Sequence, residues 1–382
     1  MQENKQKLLL VTDTYHPRVD GTIRFIDEFI RRSKEDYNIT LLAPKFGKGK
    51  KSKDVETTLL ETSKYIVPLP TYPSIQISRI NFKKIKTLVK ENEIIFCQGP
   101  ALASFLAIFY SWRYKKRCFF YPHVISWELF DNSVQTRFGK IVSYFVKKFT
   151  VFLYNQCNAL FLPYIELKSQ LEDLGVKVPM KIAKLGVDIK QFSPITNKEY
   201  FKKKVNLNPK STIITYVGRI SKEKNLIVLK EAIDKLNQEF DNIHLLIVGD
   251  GSQNEKDIFK DLKNITITGF IQNVSDYLKA TDIFVMPSLT ETTSLSTLEA
   301  MSCQLPVITT KVGFMANYIT RNHNGMFFPK NSPTVLAMKI KKLLQDEKFK
   351  NKLAKNARKT VAYSFSWERS INKIKRLIKN SH

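Results

Sequence analysis

The chain of 382 residues is 43% hydrophobic and 25% charged, a globular composition long enough for two domains of ordinary size. An excess of 62 Lys and Arg over 35 Asp and Glu leaves a formal charge of +27, which favours anionic partners (nucleic acid, an anionic lipid surface or phosphorylated substrates) or else records a compositional bias. Four scattered cysteines, Cys97, Cys118, Cys157 and Cys303, lack CxxC or zinc spacing and fit reduced thiols in a cytosolic protein, and the apolar runs Leu8–Val11 and Ala101–Trp112 are too short for a signal-peptide core and a bilayer span respectively.

In chain order, Lys7–Asp13 predicts a buried strand, followed by the loop Thr14–Thr22 and a helix with Ile23, Ile26, Phe29 and Ile30 on one face. Gly21, just before that helix, either makes a plain turn or lets a phosphate approach the backbone. Asn38–Pro44 reads as a strand, 45–53 as a lysine-rich loop, Tyr65–Leu69 as a strand and Arg79–Lys90 as an amphipathic helix. Ile94–Gln98 is a strand, Ala101–Trp112 a buried helix, and Arg117–Tyr121 a strand that delivers Pro122 and His123 to its C-terminal end, where open parallel sheets bind ligands. Gln135–Asn158 reads as a long helix whose stripe of Phe138, Ile141, Val142, Phe145, Phe149 and Phe152 packs on a core or, with its interleaved lysines, docks on a membrane surface. A strand, a helix and a strand follow at Ala159–Pro163, Tyr164–Leu174 and Lys181–Leu185, before the linker Gly186–Pro194.

The second half repeats the alternation. Strands are expected at Ile213–Gly218, His244–Gly249, Ile265–Gly269, Asp282–Met286, Val307–Thr310 and Met326–Phe328, with helices between them and a helical tail from Lys348 interrupted at Phe365–Trp367. Alternating β and α units imply right-handed crossovers and parallel sheets, hence two doubly wound, Rossmann-like domains facing a central cleft. The expected division is 1–187 plus 365–382 against 188–364.

Four strand-end loops of the second half carry the chemistry. Gly218-Arg219 to Lys224 offers a guanidinium and an ammonium for phosphate oxygens. Gly249-Asp250-Gly251 makes a tight turn, and Gly269-Phe270-Ile271 supplies backbone and apolar side chains that could hold a base. In Met286–Pro306, Ser296 and Glu299 have capping-box spacing, so Glu291 falls in the loop before a helix and Glu299 in its first turns. A helix N-terminus favours phosphate and carboxylates favour hydroxyls, so this stretch fits a nucleotide sugar; it equally fits a capped helix whose two Glu face water. No Asp-x-Asp, no His/Cys cluster, no Walker A and no GxGxxG is present, which argues against a bound metal, NTPases and dinucleotide oxidoreductases.

Gly218-Arg219, Glu223-Lys224, Gly249-Asp250-Gly251, Gly269-Phe270, the E-x7-E pair Glu291 and Glu299, and the linker Gly186-Val-Asp188 with Phe192-Ser-Pro194 together resemble the retaining GT-B glycosyltransferases of the "glycosyl transferases group 1" family, family four. The resemblance implies that Arg219 and Lys224 hold the diphosphate, Glu291 meets the donor sugar hydroxyls and Glu299 the ribose. It further implies that Gly218 and Gly249 line the donor, Phe270 and Ile271 flank the base, and Thr292, Thr293, Ser294 and Leu295 offer backbone N–H groups. From the first half, Gly21 would approach the phosphate and His123 face the donor sugar. Two departures, Thr292-Thr-Ser294 for a glycine-rich tripeptide and Asp20-Gly21 for paired glycines, bear on donor identity.

The first half, through Thr12–Pro17, Gly21 and Pro122-His123 to Glu128, is similar to lipid-directed members such as diacylglycerol glucosyltransferases and phosphatidylinositol mannosyltransferases. Implied is metal-independent hexose transfer from a donor such as UDP-glucose or GDP-mannose, without cofactor, at the inner face of the cell membrane. Basic stretches at 45–53, 79–90, 113–117 and 137–148 suit an anionic surface. The alternatives are a polyprenyl-linked or soluble glycan acceptor, and a nucleic-acid binder, for which no recognition module is present.

Overall fold

The structure is a computed structural model that describes residues 5–17, 21–49, 51–63, 75–99, 101–123, 137–291 and 293–381, with 137–142 described by backbone alone. The chain divides into two compact units, residues 1–184 with 368–382, and 185–367.

The first unit is a seven-stranded sheet in the order β3-β2-β1-β4-β5-β6-β7, parallel throughout. The strands are β1 Lys7–Thr12, β2 Asn38–Pro44, β3 Glu56–Leu60, β4 Ile94–Gln98, β5 Arg117–Tyr121, β6 Ala159–Leu162 and β7 Met180–Ile182. Leu8 to Val11 and Ile94 to Gln98 are fully buried, as expected where helices cover both faces and strands read as continuous apolar runs. The second unit has six parallel strands in the order β10-β9-β8-β11-β12-β13. These are β8 Thr212–Val217, β9 Ile243–Val248, β10 Ile265–Ile267, β11 Ile283–Met286, β12 Val307–Thr310 and β13 Met326–Phe328. In both sheets the order reverses at the unit's first strand, β1 or β8, which makes the C-terminal edge beside it the ligand-binding edge.

The last helix, Trp367–Asn380, is fastened to the first unit. Ile371, Ile374 and Ile378 are buried, Lys375 donates to Asp36 at 2.7 Å, and the Arg117 guanidinium donates to the carbonyls of Ile378 and Ser381.

Three elements depart from expectation. The strand beyond the lysine-rich loop is Glu56–Leu60, paired with β2; its Glu-Thr-Thr start hides it from an apolar-run search, and the expected strand Tyr65–Leu69 lies outside the described residues. A helix at Lys198–Lys204 was not anticipated, because Lys-Glu-Tyr-Phe-Lys-Lys-Lys has no apolar stripe. It is held instead by Lys198 and Lys202, which pair with Asp282 at 2.9 and 2.8 Å. Burial alone would raise the Asp282 carboxyl, but the two lysines and the Ile213 N–H bring it below the ordinary value.

The third departure concerns two neighbouring helices, Leu102–Arg113 and Arg137–Tyr154. The first was expected to be buried, yet Phe109 and Trp112 are exposed. In the second, Ser143, Thr150, Val151, Leu153 and Tyr154 face the core, and Phe145, Phe149 and Phe152 face solvent. Of the phenylalanine stripe, Phe145, Phe149 and Phe152 therefore lie off the core face, on which the polar Ser143 and Thr150 sit.

Candidate functional site

Because β10, β9, β8 and β11 are consecutive neighbours, the loops after them converge on one edge of the second sheet. Gly218 follows β8 and its N–H donates to Val248 O at 3.0 Å; Gly249 follows β9 and its N–H donates to the Thr268 hydroxyl at 3.3 Å. The approach is close enough that a Cβ on Gly249 would stand 1.9 Å from the Gly218 carbonyl oxygen, so only glycine fits there.

From β8 the chain runs through Arg219 into a short 3-10 turn, Lys222–Lys224, and then Asn225, which takes a left-handed conformation (φ 53°) to start the helix Leu226–Leu236. Buried Tyr216 donates its hydroxyl to Arg219 O at 2.8 Å, Asn225 donates to Lys330 O at 2.7 Å, and the Leu289 N–H donates to Glu223 O at 2.8 Å. The last of these ties the loop after β8 to the loop after β11, and the Asn225 bond ties it to the segment after β13. Between the two loops, Lys224 Nζ lies 2.6 Å from Glu291 Oε1, with side chains 18% and 11% exposed. Ser288 donates to the same oxygen at 2.9 Å. This site ammonium and carboxylate, expected in solvent-facing loops, are thus largely covered and paired. Arg219 is different: its guanidinium is 63% exposed and pairs with Glu223 at 3.0 Å.

The helix after β11 is Leu295–Ser302, and the expected capping box does not form. Ser296 is already inside the helix; the cap residue is Ser294, left-handed at φ 52° and without a side-chain cap bond. Its hydroxyl instead lies 2.8 Å from that of Thr297. A left-handed residue at this point is what a glycine adopts most readily, so Ser294 occupies a conformation for which glycine would be the unstrained choice. Thr293 is buried and its carbonyl accepts from the Tyr318 hydroxyl at 2.9 Å; Glu299 is 4% exposed within the helix; Thr292 lies outside the described residues.

On the other side of Gly249, a cavity of about 590 Å³ is lined by Asp250, Lys256, Phe259, Ile265, Ile267 and Gly269 among others. Next to it Phe270 is 59% exposed and Ile271 half-buried.

Gly21 and His123 belong to the first unit. Gly21 opens the helix Gly21–Ser33, and His123 follows β5. The imidazole rests against Phe25 of that helix and Tyr121, with ring centroids 5.2 and 4.6 Å away, and its Nε2 is 2.7 Å from Gln98 Oε1. Burial pushes its pKa down to about 3, so the ring is neutral. Glu128, the other member of that sequence pattern, lies outside the described residues.

Several supporting residues escaped the sequence reading. Gln98 positions His123, and a lone amide ending the apolar strand Ile94–Gln98 was its only signal. Asp13, buried at the end of β1, accepts from the N–H groups of Ala101, Ala103 and Ser104 and so caps the helix Leu102–Arg113 from ninety residues away. Ser288 and Tyr318 act on the second-unit site through contacts that no spacing encodes.

Two Rossmann-like parallel sheets in one chain, with convergent loops at a strand edge, define the GT-B class of protein. Residues 197–360, in the second unit, match the family model described as "Glycosyl transferases group 1". An Escherichia coli protein named UDP-Gal:alpha-D-GlcNAc-diphosphoundecaprenol alpha-1,3-galactosyltransferase is 30% identical over 52% of this chain and 54% of its own. The Alpha-monoglucosyldiacylglycerol synthase of Acholeplasma laidlawii is 27% identical over 59% of this chain and 57% of its own, so the chain spans little more than half the length of these relatives. In fold, the chain is similar to Anabaena HepE, solved in complex with UDP, with a TM-score of 0.78 and 16% identity over 98% of this chain and all of that one.

Proposed function

We propose that the chain is a retaining glycosyltransferase that moves a hexose from a nucleotide diphosphate sugar to a membrane-associated acceptor, a lipid such as diacylglycerol. The observation that carries this reading is the Lys224–Glu291 pair at the edge where four strands end. An ammonium for phosphate and a carboxylate for sugar hydroxyls sit within one hydrogen bond of each other, which suits a ligand that carries both groups. Arg219 is exposed, paired with Glu223, and is assigned to the diphosphate, where Arg and Lys stabilise the charge that develops on the leaving group. Glu299 is assigned to the ribose, Phe270 and Ile271 to the base, with Gly218, Gly249 and the backbone of 293–295 around the donor. His123, held neutral, serves as a hydrogen-bonding ring and not as a proton store.

Retention follows, in this reading, from front-face attack with the leaving diphosphate helping to deprotonate the acceptor. Glu291 Oε1 already accepts from Lys224 and Ser288, a poor arrangement for a nucleophile. The cationic side chains of Arg219 and Lys224 are assigned the diphosphate charge. The acceptor class rests on the names of the two relatives, one naming a diphosphoundecaprenol-linked sugar and one the synthesis of a monoglucosyldiacylglycerol; a polyprenyl-linked glycan is the second reading, on the strength of the first of these. No described helix is long and apolar enough to cross a membrane, and peripheral attachment at the inner face of the cell membrane is the placement that suits such an acceptor.

The test is a thermal-shift panel of nucleoside diphosphates and their hexose conjugates. One nucleotide series should stabilise the chain in proportion to RT ln(1 + [L]/Kd), with its sugar conjugate consumed when acceptor lipid is added. Indifference to every nucleotide in the panel would overturn the reading.

A further inference from the structure

The two helices that depart from expectation, Leu102–Arg113 and Arg137–Tyr154, leave a continuous aromatic surface in the open. Trp112 is 47% exposed, Phe145 65% and Phe149 53%, with Phe109 and Phe152 exposed beside them. The rings touch across the two helices: Trp112 meets Phe152 with centroids 6.0 Å apart, Phe109 meets Trp112 at 5.9 Å, and Phe149 meets the part-buried Phe105 at 6.3 Å. Single exposed apolar side chains need no explanation, but five exposed rings on two packed helices, three of them in mutual contact, mark a contact surface.

The two helices and their flanking segments carry charge of one sign. No Asp or Glu occurs in residues 94–127 or 132–165, which contain both helices. Arg113, Lys115 and Lys148 are exposed at the margin, and Lys148 lies 5.7 Å over the Tyr144 ring. Large aromatic rings flanked by long cationic side chains match the boundary of an anionic bilayer, where rings enter the headgroup layer and amines stay at the phosphates. A second copy of the chain suits the face poorly, since a two-fold contact would set these cations against the same cations.

We infer that Phe109, Trp112, Phe145, Phe149 and Phe152, with Arg113, Lys115 and Lys148, form the surface by which the first unit sits on an anionic lipid bilayer. The inference rests on the proposed membrane-associated acceptor and names where the enzyme meets the membrane. It also separates this face from the other basic stretches, such as the helix Arg79–Glu91, whose exposed apolar residue is the single Ile80.

The test uses the full chain with phosphatidylcholine vesicles, with and without phosphatidylglycerol, read by co-sedimentation. Wild-type chain should bind the anionic vesicles about tenfold or more tightly than the neutral ones. The variant W112S/F149S/F152S, altered only at exposed positions, should lose at least about tenfold in affinity for the anionic vesicles. The variant R113Q/K115Q/K148Q should lose the preference for anionic lipid. Wild-type affinity in the aromatic variant would overturn the inference. So would a wild-type chain that ignores both vesicles and instead forms a dimer that the aromatic variant breaks. Nucleotide-induced thermal shifts are read on the same samples: they should be unchanged in both variants, and their absence alongside intact vesicle binding would count against the donor reading and not against this surface.

Discussion

At the C-terminal edge of the second sheet, opposite charges are held against one another: Lys224 on Glu291 and Arg219 on Glu223, all but the first pair substantially open to water. At the matching edge of the first sheet, β4 ends in Gln98 and His123 follows β5, and burial among Phe25 and Tyr121 keeps that imidazole neutral. An ion pair can exchange its carboxylate for a phosphate and keep its charge balanced, so it suits an anionic ligand that comes and goes. A neutral ring wedged among aromatics has no such freedom; its use lies in direction and tautomer. The two edges should therefore respond differently to substitution and pH.

The largest expected effect comes from the scaffold under the charged edge. Gly249→Ala places a methyl group 1.9 Å from a backbone oxygen, and should cost more than about 3 kcal/mol or abolish soluble expression, as judged by chemical denaturation. A stable, nucleotide-binding Gly249→Ala chain would show that the two glycine loops need not touch.

Next come the charges themselves. Lys224→Ala and Glu291→Ala should each lower nucleotide-sugar turnover by roughly 10²–10³-fold. Each should also lower stability by about 1–3 kcal/mol, because the partner is left uncompensated in a largely covered site. In the double variant the stability losses should add to less than their sum, a coupling that a double-mutant cycle reads directly.

The neutral edge is probed by pH. His123 ionises near 6.5 when exposed in the unfolded chain and near 3 in the fold, so the unfolded state takes up the proton first. Its contribution to stability is complete above about pH 6.5 and is lost as pH falls toward 3. His123→Gln should flatten the thermal-melting profile over that window, and turnover of the wild-type enzyme should show no limb near 6.5 assignable to this residue. A melting profile identical in the two proteins would mean the ring is solvated.

The smallest effect is expected at Phe270, which is mostly exposed. Phe270→Ala should leave melting unchanged and weaken nucleoside diphosphate binding about tenfold, as expected for one base stacked on one ring; titration calorimetry measures it.

Much of this could be read from the residues in order. Fully buried strands such as Leu8–Val11 and Phe284–Met286 announce themselves as apolar runs, and their alternation with helical periods is enough for a doubly wound fold. Gly218, Lys224, Gly249 and Glu291 are recognisable as strand-end residues because a parallel sheet sends every such loop to one edge. Ser296 and Glu299 show the limit of local spacing: the capping box was legible, yet the helix begins at Leu295 because the left-handed turn at Ser294 sets its start.

The sequence by itself determined the succession of elements, the identity of the charged and glycine positions, and an aromatic stripe at helical period from Phe145 to Phe152. Only the tertiary structure decided what each of these faces. It set Lys224 on Glu291 across 67 residues and Asp13 on the helix start at Ala101 across 88. It turned Ser143 and Thr150 inward and the phenylalanines out. The reason is that periodicity records which residues share a face, whereas burial depends on whether another element arrives to cover it, and that is settled by neighbours far away in the chain.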